Sequence, residues 1–196
     1  MTLSTTVSTP RKLWLVRHAA PLIGRGVCYG ALDVAADVPA TQAAARQLAE
    51  ALPQRAAVWS STLQRCEQLT KSIQGLRPDL TLRHDARLTE MNFGRWEGQT
   101  WDAIGPTAIN AWTSDFAHHA PGGAESVDGF MQRVAAAFDE TRHAGPGGQD
   151  AVWITHAGVI RAATLLAAGV RSIAHAEQWP AAAPAFGEWT WLTFAD

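Results

Sequence analysis

Cysteine is nearly absent from this chain of 196 residues, with Cys28 and Cys66 alone. They form no C-x-x-C pair, so two inert thiols in a reducing compartment are the expected state. Charge of one sign is lacking too. Sixteen basic against eighteen acidic residues leave a formal net charge of −2, which gives no electrostatic footprint for nucleic acid or an anionic membrane surface. An anionic ligand must therefore be held by a local arginine cluster. No apolar run approaches the ~20 residues of a membrane span. The first ten residues have neither the basic nor the apolar region of a secretory signal. Residues 1–11 read as a disordered polar tail before a single domain over 12–196, and the chain as cytoplasmic. There is no Walker-type glycine loop with lysine and no cluster of hard oxygen ligands for Mg²⁺. Neither metal nor cofactor is expected.

What is present is an alternation of β and α patterns. Leu13-Trp14-Leu15-Val16-Arg17-His18 is a short apolar run ending in histidine, and Val152-Trp153-Ile154-Thr155-His156 ends the same way. Both read as buried parallel strands. Between them lie a Gly-rich loop (23–30), an Ala-rich helix over 39–52 and a strand over 56–59. A helix over 62–74 follows, with Ser61 as N-cap and Gln64 completing a capping box. A strand comes next at 80–84. Residues 88–123 are irregular, with short helices over the sheet edge. A helix over 126–142, stopped by Gly145-Pro-Gly-Gly, precedes the second His-ended strand. A helix over 158–168 and a closing strand over 189–194 complete the pattern. The alternation predicts an α/β fold, a three-layer α/β/α sandwich with a mainly parallel sheet.

Ligands of such sheets bind beyond the carboxyl ends of the strands. Four clusters converge there. Arg17-His18 ends the first strand. Arg65 lies in the first turn of a helix that starts at a strand end, where backbone amides and a guanidinium together suit phosphate oxygens. Glu90 sits among Leu88, Met91 and Phe93, an apolar setting suited to a proton donor; the plainer reading pairs it with Arg87 or Arg95. In Thr155-His156-Ala157-Gly158-Val159-Ile160-Arg161 the small residues let a backbone approach a ligand closely, and the helix that follows points amide donors toward it. Two imidazoles, two arginines and one acid fit a phosphomonoester dianion. Neutral imidazole attacks phosphorus, guanidinium groups hold the equatorial oxygens, and an acid protonates the departing alkoxide. Nine tryptophans are many for this length. Trp14, Trp59 and Trp153 fall in strands and read as core, while Trp96, Trp101 and Trp112 fall near the site.

In this order, Arg17-His18, Ser61-x-x-x-Arg65, Glu90 to Gly98 and Thr155-His156-Ala157-Gly158 resemble the histidine phosphatase superfamily, whose fold is phosphoglycerate-mutase-like. The resemblance spans Leu13 to Phe194. It implies that His18 is a nucleophile forming a phosphohistidine, that Arg17, Arg65 and His156 bind the phosphate, and that Glu90 donates the proton. Ala19 departs from the family's usual glycine, Ala20 and Pro21 from its usual polar pair, and Thr62 from a common proline. Val27-Cys28-Tyr29-Gly30 and Leu32-Asp33-Val34 are similar to the α-ribazole phosphatase branch of cobalamin biosynthesis. Tyr29 and Glu125, the latter within Pro121-Gly-Gly-Ala-Glu-Ser126, thereby become substrate-pocket candidates. Glu125 and Ser126 serve equally as the first carboxylate and cap of the 126–142 helix. The implied activity is a metal-free phosphomonoesterase on a small-molecule phosphate, with no nucleic acid or membrane partner and a homodimer left open. Mutase-type phosphoryl transfer, a protein phosphohistidine phosphatase and a non-catalytic phosphate-binding module are the alternatives.

Overall fold

The structure, a computed structural model, describes residues 10–144 and 149–194. Its elements run β1 (Lys12–Arg17), α1 (Val38–Ala51), β2 (Ala57–Ser60), α2 (Gln64–Leu76), β3 (Thr81–His84), α3 (Trp101–Ile104), α4 (Pro106–Ser114), α5 (Val127–His143), β4 (Ala151–Thr155), α6 (Ala157–Ala167) and β5 (Trp189–Thr193). The strands form one sheet in the order β3-β2-β4-β1-β5. All pairs are parallel except β1 with β5.

Alternation of side chains along β1 sends Leu13 and Leu15 to one face and Val16 to the other. Leu13, Leu15 and Trp153 pack with Phe130, Met131 and Val134 of α5 and Val159 and Ile160 of α6. Val16, Val58, Val152 and Ile154 pack with Ala44 and Leu48 of α1 and Cys66, Leu69 and Ile73 of α2. Both faces are thus covered by helices. This is the expected three-layer sandwich, and it explains why β4 is buried at all five positions. Trp153 is fully buried and donates its indole N–H to Thr141 of α5. No helix among the described residues is long and apolar enough to cross a membrane.

Three expectations change in detail. The second helix begins at Gln64, not at 62, and Leu63 occupies its cap position without a side-chain bond. Ser61 therefore stands two residues before the cap position, where its hydroxyl accepts from Leu63 N–H at 3.3 Å and meets His156. The N-terminal amide of Gln64 is instead taken by Asp33, 31 residues earlier, which accepts at 2.7 Å. Ser126 does cap α5, accepting from Gly129 N–H at 3.2 Å. The Gly145-Pro-Gly-Gly stop lies outside the described residues, as does the tail over 1–9. Arg11 is fixed, with its guanidinium on the carbonyls of Arg142, Ala144 and Gln149.

Candidate active site

The register of the sheet brings the two histidines together. Arg17 lies opposite Thr155 across the parallel β1–β4 pair, and the His18 amide donates to the Thr155 carbonyl at 3.0 Å. The imidazoles of His18 and His156 therefore leave adjacent strands at one level, with ring centroids 5.1 Å apart. On the other side of β4, Ser61 N–H bonds to the Ile154 carbonyl, which places its hydroxyl 2.8 Å from His156 Nε2. The Cys66 sulfur lies 3.5 Å from the same nitrogen. Burial pushes that thiol up to about 12, so it remains protonated.

His18 is 2% exposed, and its Nδ1 lies 2.7 Å from the Ala19 carbonyl oxygen. A carbonyl can only accept, so Nδ1 carries the hydrogen and Nε2 keeps its lone pair. Burial, aided by the Arg65 and Arg17 charges, lowers the pKa of His18 to about 3 against an ordinary 6.5. The imidazole is therefore neutral at physiological pH. His156 is likewise held neutral, by burial and by the neighbouring Arg65 and His18. Ala19 keeps a negative φ, since Arg55 is the one described non-glycine residue with positive φ. Its methyl group consequently creates no backbone strain beside His18.

The guanidinium groups are anchored by carbonyls. Arg65, fully buried at the start of α2, donates to Leu32 O at 2.8 Å and Gly30 O at 2.6 Å. Arg17 donates to Pro184 O at 3.0 Å, with its carbon 3.9 Å from the centre of the Phe186 ring. Phe186 also packs on His18. Among the described residues, five buried side-chain polar atoms lack a hydrogen-bond partner: Nε of Arg17, Arg65 and Arg161, Nδ1 of His156 and Nε1 of Trp112. Four of those residues line one cleft and the fifth, His156, packs against His18 in its floor. Buried donors without partners are rare in native proteins. Their concentration at one place marks a site built for an acceptor-rich ligand.

Glu90 lines the same cleft. Its Oε2 accepts from Gly158 N–H at 2.9 Å and its Oε1 from Met91 N–H at 3.1 Å. Neither Arg87 nor Arg95 pairs with it; Arg87 is bound to Asp85 and Glu140. A Cβ at position 158 would collide with the Glu90 carboxylate, so glycine there is what lets the carboxylate reach the first turn of α6. Arg133 of α5 fixes the segment from behind by donating to the carbonyls of Arg87, Thr89 and Glu90.

The structure sorts the two pocket candidates apart. Tyr29 lines the cleft, with the Arg65 guanidinium carbon 5.5 Å from its ring centre. Glu125 does not line it. Its carboxylate accepts from Arg133 at 2.6 and 3.0 Å and from Asn92 N–H at 2.9 Å. A carboxylate so fully engaged is structural, and the pocket assignment of Glu125 is corrected accordingly. Arg161 closes the Thr155–Arg161 cluster in sequence without a role of its own, and Phe186 carries no signal there; only the folded chain shows that both flank Arg17. Glu97 is a third such residue, accepting from four backbone amides of the site loops.

The cleft measures about 680 Å³, far more than a phosphoryl group fills. Beyond Arg17, His18, Tyr29, Arg65, Glu90 and Arg161 its walls are apolar and largely aromatic, with Phe93, Trp101, Trp112, Phe116, Phe130 and Trp179. Phe93 meets Trp101 and Trp112 edge-on at 6.0 and 5.8 Å, and Trp112 stacks on Phe116 at 5.3 Å. Trp96 backs the wall against Trp101 and Trp112 without lining it.

Comparison with known proteins agrees with this fold. A mycobacterial glucosyl-3-phosphoglycerate phosphatase complexed with VO3 is 27% identical, with a TM-score of 0.76 over 93% of this chain and 92% of that one. A protein of Thermus thermophilus is 32% identical over 81% of this chain and 85% of its own, with a TM-score of 0.62. A candidate α-ribazole-5′-P phosphatase of Escherichia coli shares the fold at 20% identity, with a TM-score of 0.72 over 93% and 90% of the two chains. No curated protein matches the sequence. The sequence pattern of the histidine phosphatase superfamily (branch 1) matches residues 13–195, and the chain belongs to that family as a phosphoric monoester hydrolase.

Proposed function

We propose that His18 is the nucleophile of a phosphomonoesterase that works through a phosphohistidine. The observation that carries this reading is the bond from His18 Nδ1–H to the Ala19 carbonyl, which leaves a neutral Nε2 lone pair on the cleft floor beside Arg17 and Arg65. In the first step Nε2 bonds to phosphorus while the phosphorus–oxygen bond to the alcohol breaks. Glu90 delivers the proton that the departing oxygen needs. Arg17, Arg65 and His156 hold the phosphoryl oxygens as charge develops on them. In the second step water attacks phosphorus, Glu90 takes its proton, and the electron pair of the P–N bond returns to Nε2. The products are the alcohol and inorganic phosphate.

The aromatic walls bear on the substrate. Among the described residues that line the cleft, Glu90 is the single carboxylate, and none is Asp, Asn, Gln, Ser or Thr. A leaving group that is only a sugar or a glycerate would bury hydroxyls with few partners and offer the aromatic walls no ring. A planar ring would stack on the tryptophans instead. This supports α-ribazole 5′-phosphate, a step of cobalamin biosynthesis, as the physiological substrate. The test is phosphate release from α-ribazole 5′-phosphate, ribose 5-phosphate and 3-phosphoglycerate, with alkaline quenching in detergent to trap labelled enzyme. The ring-bearing ester is expected to lead in kcat/KM, by about tenfold or more for a stacked ring, with acid-labile, base-stable phosphate on the protein. Equal rates across the three would remove the substrate assignment, and absence of labelled protein during turnover would remove the mechanism.

The role of Glu90 makes a separate prediction. Glu90→Gln is expected to lower kcat for alkyl phosphates by about 10²-fold or more, the usual worth of a general acid. With p-nitrophenyl phosphate, whose leaving group needs no proton, the loss in the phosphorylation step is expected to stay below about tenfold. Equal losses on both, measured by single-turnover kinetics, would show that Glu90 is not the donor.

A further inference from the structure

We propose that Glu97 is the positioning residue for Arg65, acting on the phosphate pocket through the backbone of residues 30–32. The proposal rests on Arg65 being a phosphate ligand. Glu97 accepts from Gly30 N–H (2.8 Å) and Leu32 N–H (3.0 Å) on Oε2, and from Ala31 N–H (3.0 Å) and Phe93 N–H (2.9 Å) on Oε1. A carboxylate offers about four lone-pair sites, and here all four are taken by main-chain donors. Glu97 forms no ion pair among the described residues; its whole charge is directed at this loop.

The other side of the same loop faces Arg65. The Gly30 carbonyl receives one terminal guanidinium nitrogen and the Leu32 carbonyl the other. The peptide group joining Gly30 to Ala31 consequently spans the two charges, with its oxygen on Arg65 and its N–H on Glu97. Such an arrangement polarises the peptide and strengthens both bonds. The loop has little freedom otherwise. A Cβ on Gly30 would overlap the Met91 carbonyl and the Phe93 ring, so the turn lies directly on the segment that carries Glu90. At its far end Asp33 takes the Gln64 amide, one residue before Arg65. Arg65 is therefore held in place by a loop that is itself held by Glu97. With Nε unpartnered, the guanidinium keeps a donor for the ligand.

A double-mutant cycle tests the link, because residues that act through one another give non-additive effects. Vanadate serves as the probe, with its dissociation constant measured for the native chain, Glu97→Gln, Arg65→Met and the double variant. Glutamine turns one acceptor oxygen into an N–H₂ facing two donors, so the loop must shift. A misplacement of about an ångström costs up to about a hundredfold, and a loss of at least about tenfold in vanadate affinity is expected from Glu97→Gln. In the Arg65→Met background the same substitution is expected to cost less than about twofold. An equal loss in both backgrounds would make Glu97 a general structural residue and overturn the proposal. So would undiminished affinity in Glu97→Gln. If Arg65→Met binds vanadate as well as the native chain, the assignment of Arg65 to the phosphate falls first, and the proposal with it. Should Glu97→Gln not fold, Glu97→Asp, which keeps the charge and shortens the reach, enters the same cycle.

Discussion

His18→Ala is expected to abolish turnover, with kcat reduced by at least about 10⁴-fold and no labelled phosphoenzyme at any quench time. The expectation follows from the surroundings of Nε2. The one other imidazole in the pocket, His156, has its Nε2 engaged by Ser61 and is fully buried. Cys66 is held as a thiol. No neighbouring group can take over as nucleophile. Turnover by the variant within tenfold of the native rate would sink the covalent mechanism. The same variant carries a pH signature in stability. Above pH 6.5 folded and unfolded chains both hold a neutral His18 and the shift has no effect. Below it, the unfolded chain takes up a proton that the folded site refuses until about pH 3. Stability therefore falls with acid, by about 1.4 kcal/mol per pH unit for this residue. Removing His18 is expected to make the decline of Tm between pH 6 and pH 4 shallower, leaving the contribution of His156. An unchanged slope would mean that the site does not exclude the proton.

The parts of this site that could be read from sequence are those that sit on regular elements. Arg17, His18 and His156 end strands whose apolar runs leave little doubt about their course, and the alternation of elements orders those strands in one sheet. Arg65 was legible because it follows a strand by a few residues. The supports were not. Glu97 reaches Gly30 across 67 positions and Arg133 reaches Arg87 across 46, and both bind main chain. Backbone carbonyls and amides are the same in every residue, so no pattern of side chains announces such a bond. Ser61 illustrates the converse. Its local spacing to Gln64 satisfies a capping box, yet its hydroxyl meets a distant histidine and a distant aspartate caps the helix. The resemblance of its segment points Glu125 toward the pocket, and only the approach of Arg133 shows that its charge is spent. Local sequence thus specified the donors of the chemistry, while tertiary contacts decide which polar groups remain free to perform it.

Arg65 is where that distinction has its largest measurable consequence after the nucleophile. Its guanidinium must satisfy two carbonyls and still present donors to a phosphoryl oxygen, which a forked, planar group can do. Lysine has a single nitrogen on a flexible stem. Arg65→Lys is therefore expected to bind the Gly30 or Leu32 carbonyl at the expense of the ligand, lowering kcat/KM by about 10²-fold or more. Arg65→Met is expected to lose as much and also to lower Tm, because it leaves both carbonyls buried without a donor. The two variants separate charge from geometry at His18. Arg65 is the charge that contributes most to keeping that imidazole neutral, so removing it in Arg65→Met raises the pKa of His18. The ammonium of Arg65→Lys retains the effect. NMR titration of the His18 ring is expected to show an upward shift in the methionine variant and a smaller one in the lysine variant. An Arg65→Lys enzyme within about threefold of the native kcat/KM would show that charge alone suffices at this position. The forked contact to Gly30 and Leu32 would then serve the fold and not the phosphate.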